Sequence, residues 1–146
     1  STIYHELWHV STWNKYKSMY DYVLDEESED NFLAYAYMYW IEYLAHKETV
    51  CMEDEEESKN FCIQFANRHW NEDEYGYFIK ALPYYLIRAN YWKCFISLTS
   101  KMRCDKLRHT VVDFDIVSRK LLRNDNITDM EKAAVLRELI EEFITS

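Results

Sequence analysis

The residue types that could do chemistry begin at the fifth position. His5-Glu6-Leu7-Trp8-His9 fits HExxH, a spacing that puts two imidazoles on one helix face with a carboxylate between them to act as general base at a zinc ion. A working site of this kind needs a third protein ligand and a substrate cleft, and this pair sits near a chain end, where backbone order is poorest. His5, Glu6 and His9 are therefore set aside as metal ligands. They are read as incidental residues beside an apolar stripe, and no cofactor is expected.

The other chemical possibilities are thin. There is no GxxxxGK[ST], no GxGxxG, and a single glycine, Gly76, so a loop that cradles phosphate has no material to be built from. Cys51, Cys62, Cys94 and Cys104 stand 11, 32 and 10 residues apart with no CxxC pair. They are expected to be reduced thiols, mostly in the core. No serine lies in a nucleophile elbow. A chain without pocket chemistry is expected to bind rather than to catalyse. Candidate partner-binding residues are the acidic run Glu53, Asp54, Glu55, Glu56 and Glu57, with Arg88 and Trp92. Like charges so close together repel and favour a solvated link over Lys47 to Glu57. The 13 Tyr and 5 Trp are expected to fill the core for the most part, leaving some aromatics at the surface, where they make effective contacts.

These residues need elements to hold them, and the composition points to helices alone. One Gly and one Pro in 146 residues leave sandwich and barrel turns without their usual residues, and the length suits one domain spanning 1–146. The formal charge of −9 opposes a phosphate backbone, so nucleic acid is not an expected partner. No apolar run reaches the roughly 18 residues of a membrane span, and a soluble, intracellular protein is expected.

Ile3, Leu7, Val10, Trp13, Tyr16, Tyr20 and Val23 predict an amphipathic helix over 1–24. Ser28 is a plausible cap for the next, in which Leu33, Tyr37, Trp40 and Leu44 share one face and Phe32, Tyr35, Tyr39 and Tyr43 its neighbour. A helix apolar almost all round belongs at the centre of a bundle. Ser58 is expected to cap a short helix carrying Phe61, Cys62, Phe65, Ala66 and His69. Asn71 to Gly76 reads as a turn using the freedom of glycine, and Leu82-Pro83 as the opening of another helix. The apolar pattern from Leu86 to Met102 suggests a break near Asn90. A helix over Leu107 to Leu122 follows, and Thr128 with Glu131 forms a capping box ahead of Met130, Ala133, Leu136, Ile140 and Phe143.

Four segments together resemble the Bcl-2-like immunomodulators of vaccinia-type poxviruses. Tyr20-Asp21, Val23-Leu24-Asp25, Glu27, Leu33 and Tyr37-Met38-Tyr39, followed by Trp40, are similar to the acidic lead-in and first Bcl-2 helix of that family. Phe61 and Tyr75-Gly76 resemble the end of its second helix. Phe95-Ile96, Asp105 and Thr110-Val111 with Asp113 resemble the start of the fourth helix and its junction to the fifth. The chain departs from the pattern in its short region after Asp113 and in its additional helix before Tyr20. A rival likeness, 76–86 through Trp92, is to helical segments of signalling NTPases.

The resemblance implies a compact Bcl-2-like bundle of about six to eight helices over 28–146, preceded by the additional helix. It implies a non-enzymatic viral protein of the host cytoplasm, off the membrane, that binds host signalling or apoptosis proteins and could pair as a homodimer. Such proteins either inhibit innate immune signalling toward NF-κB or interferon, or hold BH3 helices in a groove. The second task asks for an Asn-Trp-Gly-Arg motif, which is missing here; Arg88 and Arg103 are its nearest substitutes. Inhibition of signalling is therefore the expected function.

Overall fold

A computed structural model describes residues 31–146 together with Ile3, Glu6 and Leu7. Those three are helical and exposed. The remainder of the expected first helix, with His5, His9 and the Ser28 cap, lies outside the described residues.

Six α-helices and no strand are found within residues 31–146. They are α1 (Asn31–Thr49), α2 (Glu55–Asn67), α3 (Tyr75–Tyr91), α4 (Phe95–Thr99), α5 (Asp105–Arg123) and α6 (Asp129–Thr145), with single 3-10 turns at Val50–Met52 and Glu72–Glu74. The chain is an all-α bundle. None of these helices is long and apolar enough to cross a membrane.

The bundle is built around α1, which packs chiefly on α3 and α6. Its buried residues, from Ala36 and Tyr37 through Tyr39, Trp40, Ile41, Tyr43 and Ala45, go right round the helix. Tyr35 and Leu44, expected inside, are only half-buried. An aromatic residue with a polar tip is stable in such a core only if the tip finds a partner. The Tyr39 hydroxyl meets Ser118 Oγ of α5 at 2.6 Å, and Trp40 Nε1 donates to Asp129 Oδ1 of α6 at 3.1 Å. Each polar tip thus also fixes which helix lies on that side of α1.

The route between α2 and α3 differs from expectation. The Glu74 carboxylate accepts from Asn71 N at 3.1 Å while Glu74 N donates to Asn71 O at 2.9 Å, so the chain is already helical at Tyr75 and Gly76 sits inside α3 with no positive φ. Its lack of a side chain serves a close approach instead: a Cβ there would stand 2.9 Å from the Tyr35 hydroxyl. Pro83 does not open a helix but lies within α3, at the cost of one helical hydrogen bond. The break expected near Asn90 comes at Lys93, whose φ of 59° is left-handed. Cys94 N donates to Ala89 O and Lys93 N to Asn90 O, the pair of bonds that closes a helix at such a residue.

In α5 the aspartates divide. Asp113 is exposed, while Asp115 is buried and accepts from Asn90 Nδ2 at 2.8 Å and Arg119 Nη2 at 2.6 Å. The Thr128–Glu131 capping box starts α6 as its sequence predicts, and Ala133, Leu136, Ile140 and Phe143 are buried, although Met130 faces water. All four cysteines are free, but only Cys62 is fully buried; Cys51 and Cys104 are exposed.

Candidate functional site

The acidic run is not a solvated loop. Asp54 caps α2 by accepting from Glu57 N at 3.0 Å, and Glu55, Glu56 and Glu57 fill the first turn, where the positive end of the helix dipole favours them. Ser58, the expected cap, lies one turn further in and is buried.

Glu53 turns inward. Its side chain is 8 % exposed and that of Arg88 19 %. Arg88 grips it with both arms of the guanidinium, Nε to Oε1 at 2.8 Å and Nη2 to Oε2 at 2.7 Å, a geometry that suits arginine and not lysine. His46, in the last turn of α1, brings Nε2 to 3.3 Å from Glu53 Oε2. Ser58 donates to Glu53 Oε1 at 3.3 Å and accepts from Trp92 Nε1 at 2.9 Å. Aromatic rings close the cluster: the Arg88 guanidinium lies 4.5 Å from the centre of Phe61, and Tyr84 meets His46 edge-on at 4.9 Å while donating to Glu42 Oε2 at 2.5 Å. One network thus joins α1, α2 and α3 and the turn between the first two.

Its electrostatics favour permanence over turnover. Burial opposes ionisation of Glu53, but hydrogen bonds and charge from His46 and Arg88 outweigh it and hold the carboxyl well below the usual range. Burial, with the hydrogen bond to Glu42 and that carboxylate's charge, pushes the Tyr84 phenol well above its ordinary value, and the Glu6 carboxylate adds a smaller rise. Glu53 therefore stays ionised and Tyr84 neutral near pH 7, so neither exchanges a proton under working conditions. Among the described residues no group of His, Cys, Asp and Glu could hold a metal ion.

The seven partner-binding candidates accordingly separate. Glu53, Arg88 and, through Ser58, Trp92 come together in the interior network, whereas Asp54, Glu55, Glu56 and Glu57 remain on the surface, with Lys59 pairing Glu55 at 2.9 Å. Known proteins add nothing to this picture. No family model, curated protein or solved structure matches the chain.

Most aromatics among the described residues lie inside and a few remain at the surface, as the sequence predicts. Trp40 and Trp70 are buried and Trp92 is half-buried, so the large aromatics exposed among the described residues are Tyr77 and Tyr91. Among the described residues Ile96, 81 % exposed, is the most prominent apolar side chain. It lines a cleft of about 580 Å³ between α4 and α5 with Phe95, Arg108 and Val112. Sequence reasoning passed over His46, Glu42, Ser58 and Tyr84 as network members. Only the arginine in an apolar stretch, Arg88, hinted that a buried acid was needed.

Proposed function

We propose that the protein is a non-enzymatic, all-α interaction module of the poxviral Bcl-2-like kind. In this reading it acts in the host cytoplasm and inhibits innate immune signalling toward NF-κB or interferon by binding a cytosolic adaptor or kinase. The observation that supports it most is the fate of the aromatic segment on which the resemblance rests: Tyr37, Tyr39 and Trp40 form the buried axis of the bundle. The strongest polar network is locked into structural bonds, which leaves the protein its surface to act with. Asp54 to Glu57 at the start of α2 offer an acidic face suited to a basic partner patch.

A second reading, capture of a BH3 helix, is favoured by the apolar cleft between α4 and α5, of a size that could seat side chains of an amphipathic helix. Against it, Arg88 is occupied by Glu53, and Arg108 already bonds Asp105 Oδ1 and Met102 O. Calorimetric titration with BH3 peptides, run beside reporter assays for NF-κB and interferon signalling, separates the two. Reporter inhibition that weakens when Glu55, Glu56 and Glu57 are changed to Gln, without peptide binding, is the expected result. Submicromolar peptide binding with intact signalling would replace the first reading by the second. Stoichiometric zinc in untagged protein, with proteolysis lost in Glu6→Gln, would overturn both.

A further inference from the structure

A cleft of about 670 Å³ lies where the end of α1 meets α3 and α5. Its floor is apolar, made by Val50, Leu86, Ile87 and Leu122, and among the described residues its lining includes three cations, Lys47, Arg119 and Arg123, but no carboxylate. That is unusual in a chain of net charge −9 with 26 acidic residues. Cations at helix ends are stabilised by the helix dipole, and Lys47 and Arg123 do stand in last turns. Neither, however, meets a carboxylate among the described residues. Arg123 uses only Nε, to Arg119 O at 3.2 Å, which leaves the outer end of its guanidinium without a hydrogen bond in the described structure. Arg119 uses Nη2 on Asp115 and is otherwise half-exposed.

We infer that this cleft binds an amphipathic anion, its acidic head held by Lys47, Arg119 and Arg123 and its apolar chain laid on Val50, Leu86, Ile87 and Leu122. Size and composition suit a small-ligand site, apolar with a few convergent polar groups. Charge complementarity selects the head, since a guanidinium fork matches carboxylate and phosphate alike. The inference is independent of the signalling reading.

The test exploits the protein's own field, which repels anions in general; binding that prefers an anion must therefore be local. Decanoate, decyl phosphate and decyltrimethylammonium, each below its micelle-forming concentration, are titrated calorimetrically into the full chain. Saturable one-to-one binding of an anionic amphiphile, weaker in high salt, is expected, and the tighter head distinguishes a fatty carboxylate from a lipid phosphate. Lys47→Gln with Arg123→Gln should weaken it on the order of tenfold. Lys59→Gln with Arg68→Gln, which removes the same charge elsewhere, should not. Circular dichroism of both double variants checks that they are folded. Equal or tighter binding of the cationic amphiphile, no uptake, or an unchanged affinity in the cleft variant would overturn the assignment.

Discussion

Arg88→Met keeps most of the side chain's apolar stem and removes the charge that faces Glu53. Glu53, 8 % exposed, is then left with His46 and Ser58 as partners in the network. Stranding one member of a buried ion pair costs about 3–5 kcal/mol. Because Arg88 itself is 19 % exposed, the lower end applies, about 3 kcal/mol. In a chain of this length that corresponds to a fall in Tm of roughly 6–12 °C. Removing both charges, with Glu53→Gln added, relieves the stranded acid, so the double variant should be more stable than Arg88→Met, with a coupling of about 2 kcal/mol. Urea unfolding followed by circular dichroism measures all corners of the cycle. The pH dependence has a definite sign. Glu53 is held below its ordinary pKa, so its contribution is complete above the unfolded value of about 4.3 and is lost as pH falls toward the native value. The gap between wild type and Arg88→Met should therefore narrow below about pH 4. A single-variant cost under about 1 kcal/mol, the level of a surface pair, or strict additivity of the two substitutions would refute the buried-network argument.

Three more outcomes follow from the packing. Thr128→Ala removes the hydroxyl that accepts from Glu131 N at 3.1 Å and should cost about 1 kcal/mol, read as a lower urea midpoint. Gly76→Ala should gain helix propensity but displace the Tyr35 hydroxyl, so it should be near neutral in wild type and stabilising by about 1 kcal/mol in a Tyr35→Phe background, by thermal melts. With a chromogenic disulfide reagent, Cys51 and Cys104 should react quickly and Cys94 more slowly. Cys62, buried and with its pKa pushed up to about 12 by burial and the neighbouring Cys94, should react only on unfolding.

What the sequence made legible was local. The start of α6 is announced by two residues three apart, Thr128 and Glu131, and both do what that spacing implies. The burial of α1 follows from a helix with almost no polar face. Misreadings arose where a residue suited more than one role, or a role suited more than one residue. Asp54 and Ser58 are both good caps, and only the Trp92 indole, 34 residues beyond Ser58, shows why serine belongs inside. Gly76 looked like a turn because glycine usually signals one, whereas the demand comes from Tyr35, on another helix. The pairing of Glu53 with Arg88 spans 35 residues, and no periodicity encodes it.

The partners of α1 come late in the chain. Tyr39 meets Ser118, 79 residues on, and Trp40 meets Asp129, 89 residues on. A ribosome adding about 5–20 residues per second needs roughly 4–18 s to carry synthesis from Trp40 to Asp129. During that interval an aromatic-rich helix has emerged without all of the helices that cover its sides. Newly made α1 is thus a natural client for chaperones that hold apolar nascent segments. A premature stop before α6 would release a chain whose central axis stays open to aggregation.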